Sequence, residues 1–197
     1  MKGFDWSGMD VVVMASGPSL TGSDVELVRQ WRLSGKDRRV IVTNTTYKVA
    51  PWADALYARD FAWWRVYREA AQQEFSGAMM TNLDGVRGVI AMHLALNPSN
   101  SGADAAFLAS QFGANRIILL GCDARYGERG ERHHHGDHPK GMGNCQSVSD
   151  FYGQFKRAAA FIRRPVVNAS RSTILDFWPR ESLRGALFGA HQRSMTA

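Results

Sequence analysis

Residues 100–123 read NSGADAAFLASQFGANRIILLGCD. An alanine-rich helix is predicted over residues 101–112, and Gly113 can take the left-handed conformation that ends it. The apolar run Arg116-Ile117-Ile118-Leu119-Leu120 follows and is stopped by Gly121. Such a run between turn residues is a buried strand. Helix followed directly by buried strand is the repeating step of a sheet covered by helices.

Outward from this block the same step recurs. Val11-Val12-Val13-Met14-Ala15 is a β-branched run broken by Gly17-Pro18-Ser19, and residues 23–33 follow as a helix, with Ser23 as cap and Glu26 three residues on. Residues 39–43 predict a second strand ending at Asn44, and residues 55–58 a third ending at Asp60. Residues 61–74 predict a helix with an aromatic face, suited to the core or to a homo-oligomer contact. Between Gly77 and Gly88 the pattern is ambiguous, with a weak strand at residues 86–90. A helix over 148–162 and a strand over 165–168 complete the series. After Trp178 a short helix at 181–188 should give way to a frayed end. The expected fold is α/β: one Rossmann-like, doubly wound, mostly parallel sheet with helices on both faces, formed by residues 1–178, with 179–197 as a tail.

With 45% apolar residues the chain can bury a core, which excludes a disordered tail. Two cysteines are too few for a disulfide framework, and Cys122, at the end of an apolar run, reads as a buried thiol. No apolar run reaches the length of a membrane span and the start is polar, so the expectation is a soluble, cytoplasmic protein. The net charge of +6 favours phosphorylated or polyanionic partners, a nucleotide or a nucleic acid. Much of the excess lies in the last third, where a solvated basic face is the plainer account.

Ligands bind such sheets outside the carboxyl ends of the strands. Two small-residue turns sit there. Ser16, Gly17 and Ser19 follow the first strand, and glycine lets backbone approach a phosphate, although a tight structural turn would need it equally. Asn100, Ser101 and Gly102 open the alanine-rich helix, where free N–H groups favour a phosphate or ribose, although Ser101 as an ordinary cap fits too.

Together VVVMASGPSL, VIVTNTTYK and the 100–126 block resemble a superfamily with two branches. One is the bacterial sialyltransferases of glycosyltransferase family 42. The other is the archaeal-type 6-hydroxymethylpterin diphosphokinases and their uncharacterised relatives, phage proteins among them. The resemblance spans about residues 10–178. It implies a transferase that moves a glycosyl or diphosphoryl group from a nucleotide or nucleotide-sugar donor to an acceptor. It places Ser16, Gly17 and Ser19 near the donor phosphates, Asn44 near the base or ribose, and Asn100, Ser101 and Gly102 on the donor. Asp123 closes the strand block, and Tyr126 would reach the phosphate. The sialyltransferases carry Asn-Cys-His-Ser where this chain has Asn144-Cys145-Gln146-Ser147, so the base is missing there. Ala58-Arg59-Asp60 fits the diphosphokinase-like branch, whose chemistry wants Mg²⁺, with Asp60 and Asp123 as candidate ligands. The competing class is a nucleic-acid-associated protein without catalysis, and a transferase acting on modified DNA bases joins the two.

Four of six histidines lie in His133-His134-His135-Gly136-Asp137-His138, within a polar loop at 127–143. His-x-His-x-Asp-His has the spacing of the first signature of metallo-β-lactamase-like hydrolases. It lies after the Rossmann-like half, with only His191 downstream, so that fold is set aside. Three accounts stay open. The loop is an incidental solvated segment, or a metal site of zinc type using two or three of His133, His135, Asp137 and His138, or a lid over the donor with one histidine, His135 or His138 beside Asp137, as general base or phosphate-binding cation.

Overall fold

The computed structural model describes residues 4–94, 96, 99–139, 142 and 148–194. Seven strands form one sheet: β1 Asp10–Met14, β2 Arg38–Thr43, β3 Ala55–Tyr57, β4 Ala78–Thr81, β5 Ile90–Ala91, β6 Arg116–Leu120 and β7 Val166–Asn168. Their order is β5-β4-β3-β2-β1-β6-β7, and every pairing is parallel. Five helices cover it: α1 Gly22–Leu33, α2 Phe61–Glu74, α3 Ser101–Gln111, α4 Ser149–Phe161 and α5 Leu183–Ser194. This is the doubly wound, Rossmann-like α/β fold, with a sheet wholly rather than mostly parallel.

The period of two along each strand divides the core. Val11, Val13, Ile117 and Leu119 face α3 and α4, together with Ala103, Ala106, Phe155 and Ala158. Val12, Met14, Ile118 and Leu120 face the other layer, with Val28, Trp31, Trp63, Trp64, Leu183 and Leu187. Strands buried on both faces explain why they read as continuous apolar runs. Trp63 and Trp64 are therefore core residues, and only Phe61 of that aromatic face is well exposed.

Four local expectations are corrected. The cap of α1 is Thr21, not Ser23: its hydroxyl accepts from the Asp24 N–H, and the Asp24 carboxylate accepts from the Thr21 N–H. The cap of α3 is Asn100, one residue before Ser101, its side chain accepting from the Ala103 N–H. The strand expected at 86–90 is β4 at 78–81 plus the two-residue β5. The short helix expected at 181–188 is α5, which begins at Leu183 and runs to Ser194, with Leu183, Ala186 and Leu187 in the α1-side core.

Asp24 also ties α1 to the loop after β7, since Arg171 donates two hydrogen bonds to its carboxylate at 2.7 and 2.8 Å. Burial pushes the Asp24 pKa up, but Arg171 and Thr21 outweigh it and hold it below the usual carboxylate value. Its contribution to stability is full above the unfolded value and is lost as pH falls through the lower folded one. Asp24→Asn is expected to cost about 2 kcal/mol at pH 7, seen as a lower urea midpoint. The deficit should shrink as the pH approaches 3, and an equal deficit at pH 7 and pH 3 would refute the assignment.

Candidate functional site

The direction of winding reverses between β1 and β6, so the crevice of this fold opens at their carboxyl ends. A cavity of about 90 Å³ lies there, and it brings together Ser16, Gly17, Asn44, Asn100, Ser101, Gly102 and Asp123. Asn44, Asn100, Ser101 and His133 also line a second hollow of about 360 Å³, whose further walls include Arg59, Asp60 and His138. Ser19 and Tyr126 line neither; they face a third hollow that shares Asp123 and His133.

Gly17 is a glycine because of its own chain. Its N–H donates to the Gly121 carbonyl at 2.8 Å, and a Cβ would meet that oxygen and lie 2.6 Å from the Asp123 carboxyl carbon. Ser19 donates its N–H and its hydroxyl to the two carboxylate oxygens of Asp123, each at 2.7 Å. Burial pushes Asp123 up to about 6 in spite of those two bonds. The turn after β1 is thus knit to the turn after β6. The helix that follows begins with a capping box, in which Thr21 and Asp24 each accept from the other's backbone N–H.

The start of α3 carries the same kind of cap, Asn100 accepting from the Ala103 N–H, but here the first turn faces the cavity: Ser101 and Gly102 line it, and the first N–H groups of a helix have no acceptor inside the helix. The Ser101 hydroxyl donates to Asn44 Oδ1 and accepts from the Arg59 N–H, both at 3.1 Å, joining the ends of β2 and β3 to α3. Asn44 is left-handed, with φ 48°, and so is Ala124, with φ 51°. They are the two non-glycine residues of positive φ among the described residues, and both line the cavity. Backbone strain of this kind collects at functional sites.

Sequence reading missed a buried network beneath the second hollow. Asp104, fully buried, accepts at 2.7 Å from both the Tyr57 hydroxyl and the Arg59 guanidinium. Burial, then the Asp104 charge, pushes the Tyr57 phenol far up. The available signal was a charge within the apolar, alanine-rich run of α3. Asp60 occupies the cap position of α2 without a capping hydrogen bond from its side chain, and it lines the second hollow. Asp60 and Asp123, the pair nominated for Mg²⁺, line separate hollows.

The histidine loop lies over this edge. The His134 N–H donates to the Ser16 carbonyl at 3.1 Å. Ring nitrogens of His133 and His134 lie 3.3 Å from the hydroxyls of Ser16 and Thr46. Burial pushes His133 and His134 down to about 4 and His135 to about 3, and it lowers His138 as well. Imidazoles so placed are neutral at pH 7 and weak as general bases. Asp137 is exposed and bonds Arg132 at 3.3 Å. Asn144, Cys145, Gln146 and Ser147 lie outside the described residues, as do positions 140, 141 and 143 of the loop.

In the basic last third, Arg171 binds Asp24 and Arg180 donates to the carbonyls of Ser170 and Arg171. Cys122 is buried, as expected, and its N–H donates to the buried Ser170 hydroxyl. Among the described residues no helix is long and apolar enough to cross a membrane. In comparisons with known proteins, no family model and no curated protein matches this chain.

Proposed function

We propose that the crevice between β1 and β6 binds a nucleotide donor and that the protein transfers a glycosyl or diphosphoryl group from it to an acceptor. The observation that carries this reading is the meeting of the α3 amino end, with Ser101 and Gly102, and the left-handed Asn44 at the winding reversal. The resemblance of residues 10–178 to nucleotide-donor transferases supports it. Ligand pockets span roughly 300–1,000 Å³. The 90 Å³ cavity is too small alone, whereas the 360 Å³ hollow is large enough, so the donor would run through both, with its phosphates toward α3.

In the transfer an acceptor hydroxyl oxygen bonds to the anomeric carbon of a nucleotide-sugar or, for a diphosphoryl group, to the β-phosphorus of a nucleoside triphosphate, which leaves as the monophosphate. The bond to the leaving phosphate oxygen breaks, and the hydroxyl proton goes to a base. Asp60 is the exposed carboxylate in the second hollow. Mg²⁺, held by carboxylates and donor phosphates, would offset charge on the leaving group.

Calorimetry with CMP, CTP, UDP-sugars, GTP and ATP, each with and without Mg²⁺, tests the reading. At least one nucleotide should bind, and Gly102→Val, whose side chain would enter the cavity beside Phe155, should weaken it about 10-fold or more. Absence of binding by every nucleotide would overturn the proposal.

A further inference from the structure

The turn at residues 133–136 folds the histidine loop back on itself. The Gly136 N–H donates to the His133 carbonyl at 3.2 Å, and Gly136 sits at φ +82°, which favours glycine. This reversal stacks the rings of His133 and His135, with centroids 5.0 Å apart, and brings His138 to 4.8 Å from the first and 5.2 Å from the second. The His134 ring packs edge-on against His135, with centroids 5.0 Å apart, but its Nε2 lies 3.3 Å from the Thr46 hydroxyl and it is not one of the three whose nitrogens converge. One ring nitrogen from each of His133, His135 and His138 lies within 4.8 Å of the others, and this is the one group of three or more such side chains found among the described residues.

We propose that His133, His135 and His138 form a three-histidine site for a zinc-class divalent cation, with an open coordination position facing the hollow that holds Asp60. The His133 Nε2 and His135 Nε2 atoms are buried without a hydrogen-bond partner. Buried nitrogens of that kind carry a desolvation cost that a metal ion would remove. The opposite nitrogen of His133, Nδ1, meets the Ser16 hydroxyl, which fixes the ring with Nε2 directed at the site. Metal-bound histidines are commonly oriented by such a second contact. Imidazoles favour zinc, copper, nickel or iron over Mg²⁺.

Tetrahedral ligands at zinc's bond lengths are about 3.3 Å apart, so the three nitrogens need to close by about 1.5 Å at most. Small rotations of side chains on one loop supply that. Three protein ligands leave room for a fourth, and His133 and His138 both border the second hollow.

The test uses the full chain, freed of metal by a chelator, without nucleotide, so that its failure is separable from failure of the donor reading. Zn²⁺ should bind at one ion per chain by calorimetry and raise the melting temperature by about 5 °C or more at saturation. Co²⁺ should give the visible bands of a four-coordinate ion. His133→Gln, His135→Gln and His138→Gln should each weaken binding about 100-fold, while His134→Gln should change it by less than about 5-fold. Circular dichroism checks that each variant folds. Absence of Zn²⁺ binding by the wild type would overturn the proposal, and so would a triple Gln variant that binds like wild type. A His134→Gln loss equal to the other three would overturn the assignment of ligands.

Discussion

Asp104→Ala is expected to lower stability by about 3–5 kcal/mol. Asp104 has no exposed surface, and it accepts from Tyr57 on β3 and from Arg59 just after it. Truncation leaves a guanidinium and a phenol facing a void in place of a carboxylate, and breaking a buried pair costs more than the pair contributes. For a chain of this size the melting temperature should fall by roughly 10 °C. Asp104→Asn keeps the shape and one acceptor and should cost about half as much. Urea titrations at pH 7 measure both. A loss below about 1 kcal/mol for the alanine variant would show that the network carries no such burden.

Gly17→Ala is expected to cost about 3 kcal/mol and to abolish ligand binding in the crevice. The new methyl would press on the Gly121 carbonyl, which is backbone and cannot rotate away, and on the Asp123 carboxyl carbon. Overpacking against fixed atoms costs 1–3 kcal/mol or more. Relief requires the turns after β1 and β6 to separate, which breaks the Gly17 to Gly121 bond and pulls Ser19 from Asp123. Gly22→Ala is the control, because nothing lies within 4 Å of its Cβ position and helical alanine outranks glycine by about 1 kcal/mol. A Gly17→Ala variant as stable as Gly22→Ala would refute this account of the turn.

These two sites mark what could be read from the sequence. β1 and β6 were legible because strands at the centre of a parallel sheet are apolar on both faces, as in Val11 to Met14 and Ile117 to Leu120. β4 was not, because Ala78-Met79-Met80-Thr81 has little β-branching and its place in the sheet is set by pairing to β3 and β5 rather than by its own preference. Thr21 displaced Ser23 as the cap of α1 because Asp24 lies three residues after Thr21 and can close the reciprocal pair. The small residues of the site were visible as turns. Gly17 and Ser19, however, face the chain's own Asp123, a contact over 104 positions that no local pattern reports. The seating of the histidine loop was equally hidden. It rests on Ser16 and Thr46 through hydrogen bonds, whereas periodicity registers only apolar burial.

The sheet-facing side of α3 has a consequence for how this protein can vary. Ala103, Ala105, Ala106 and Ala109 are completely buried, so methyl groups set much of the spacing between the helix and the strands and helix packed around it. Larger side chains would act as a wedge, lifting the rod as a unit and carrying Ser101 and Gly102 away from Asn44 at its tip. Residue volume deep in the core is therefore a ruler for the width of the crevice. Drift toward valine or leucine at these positions would alter ligand fit without touching any residue that meets a ligand.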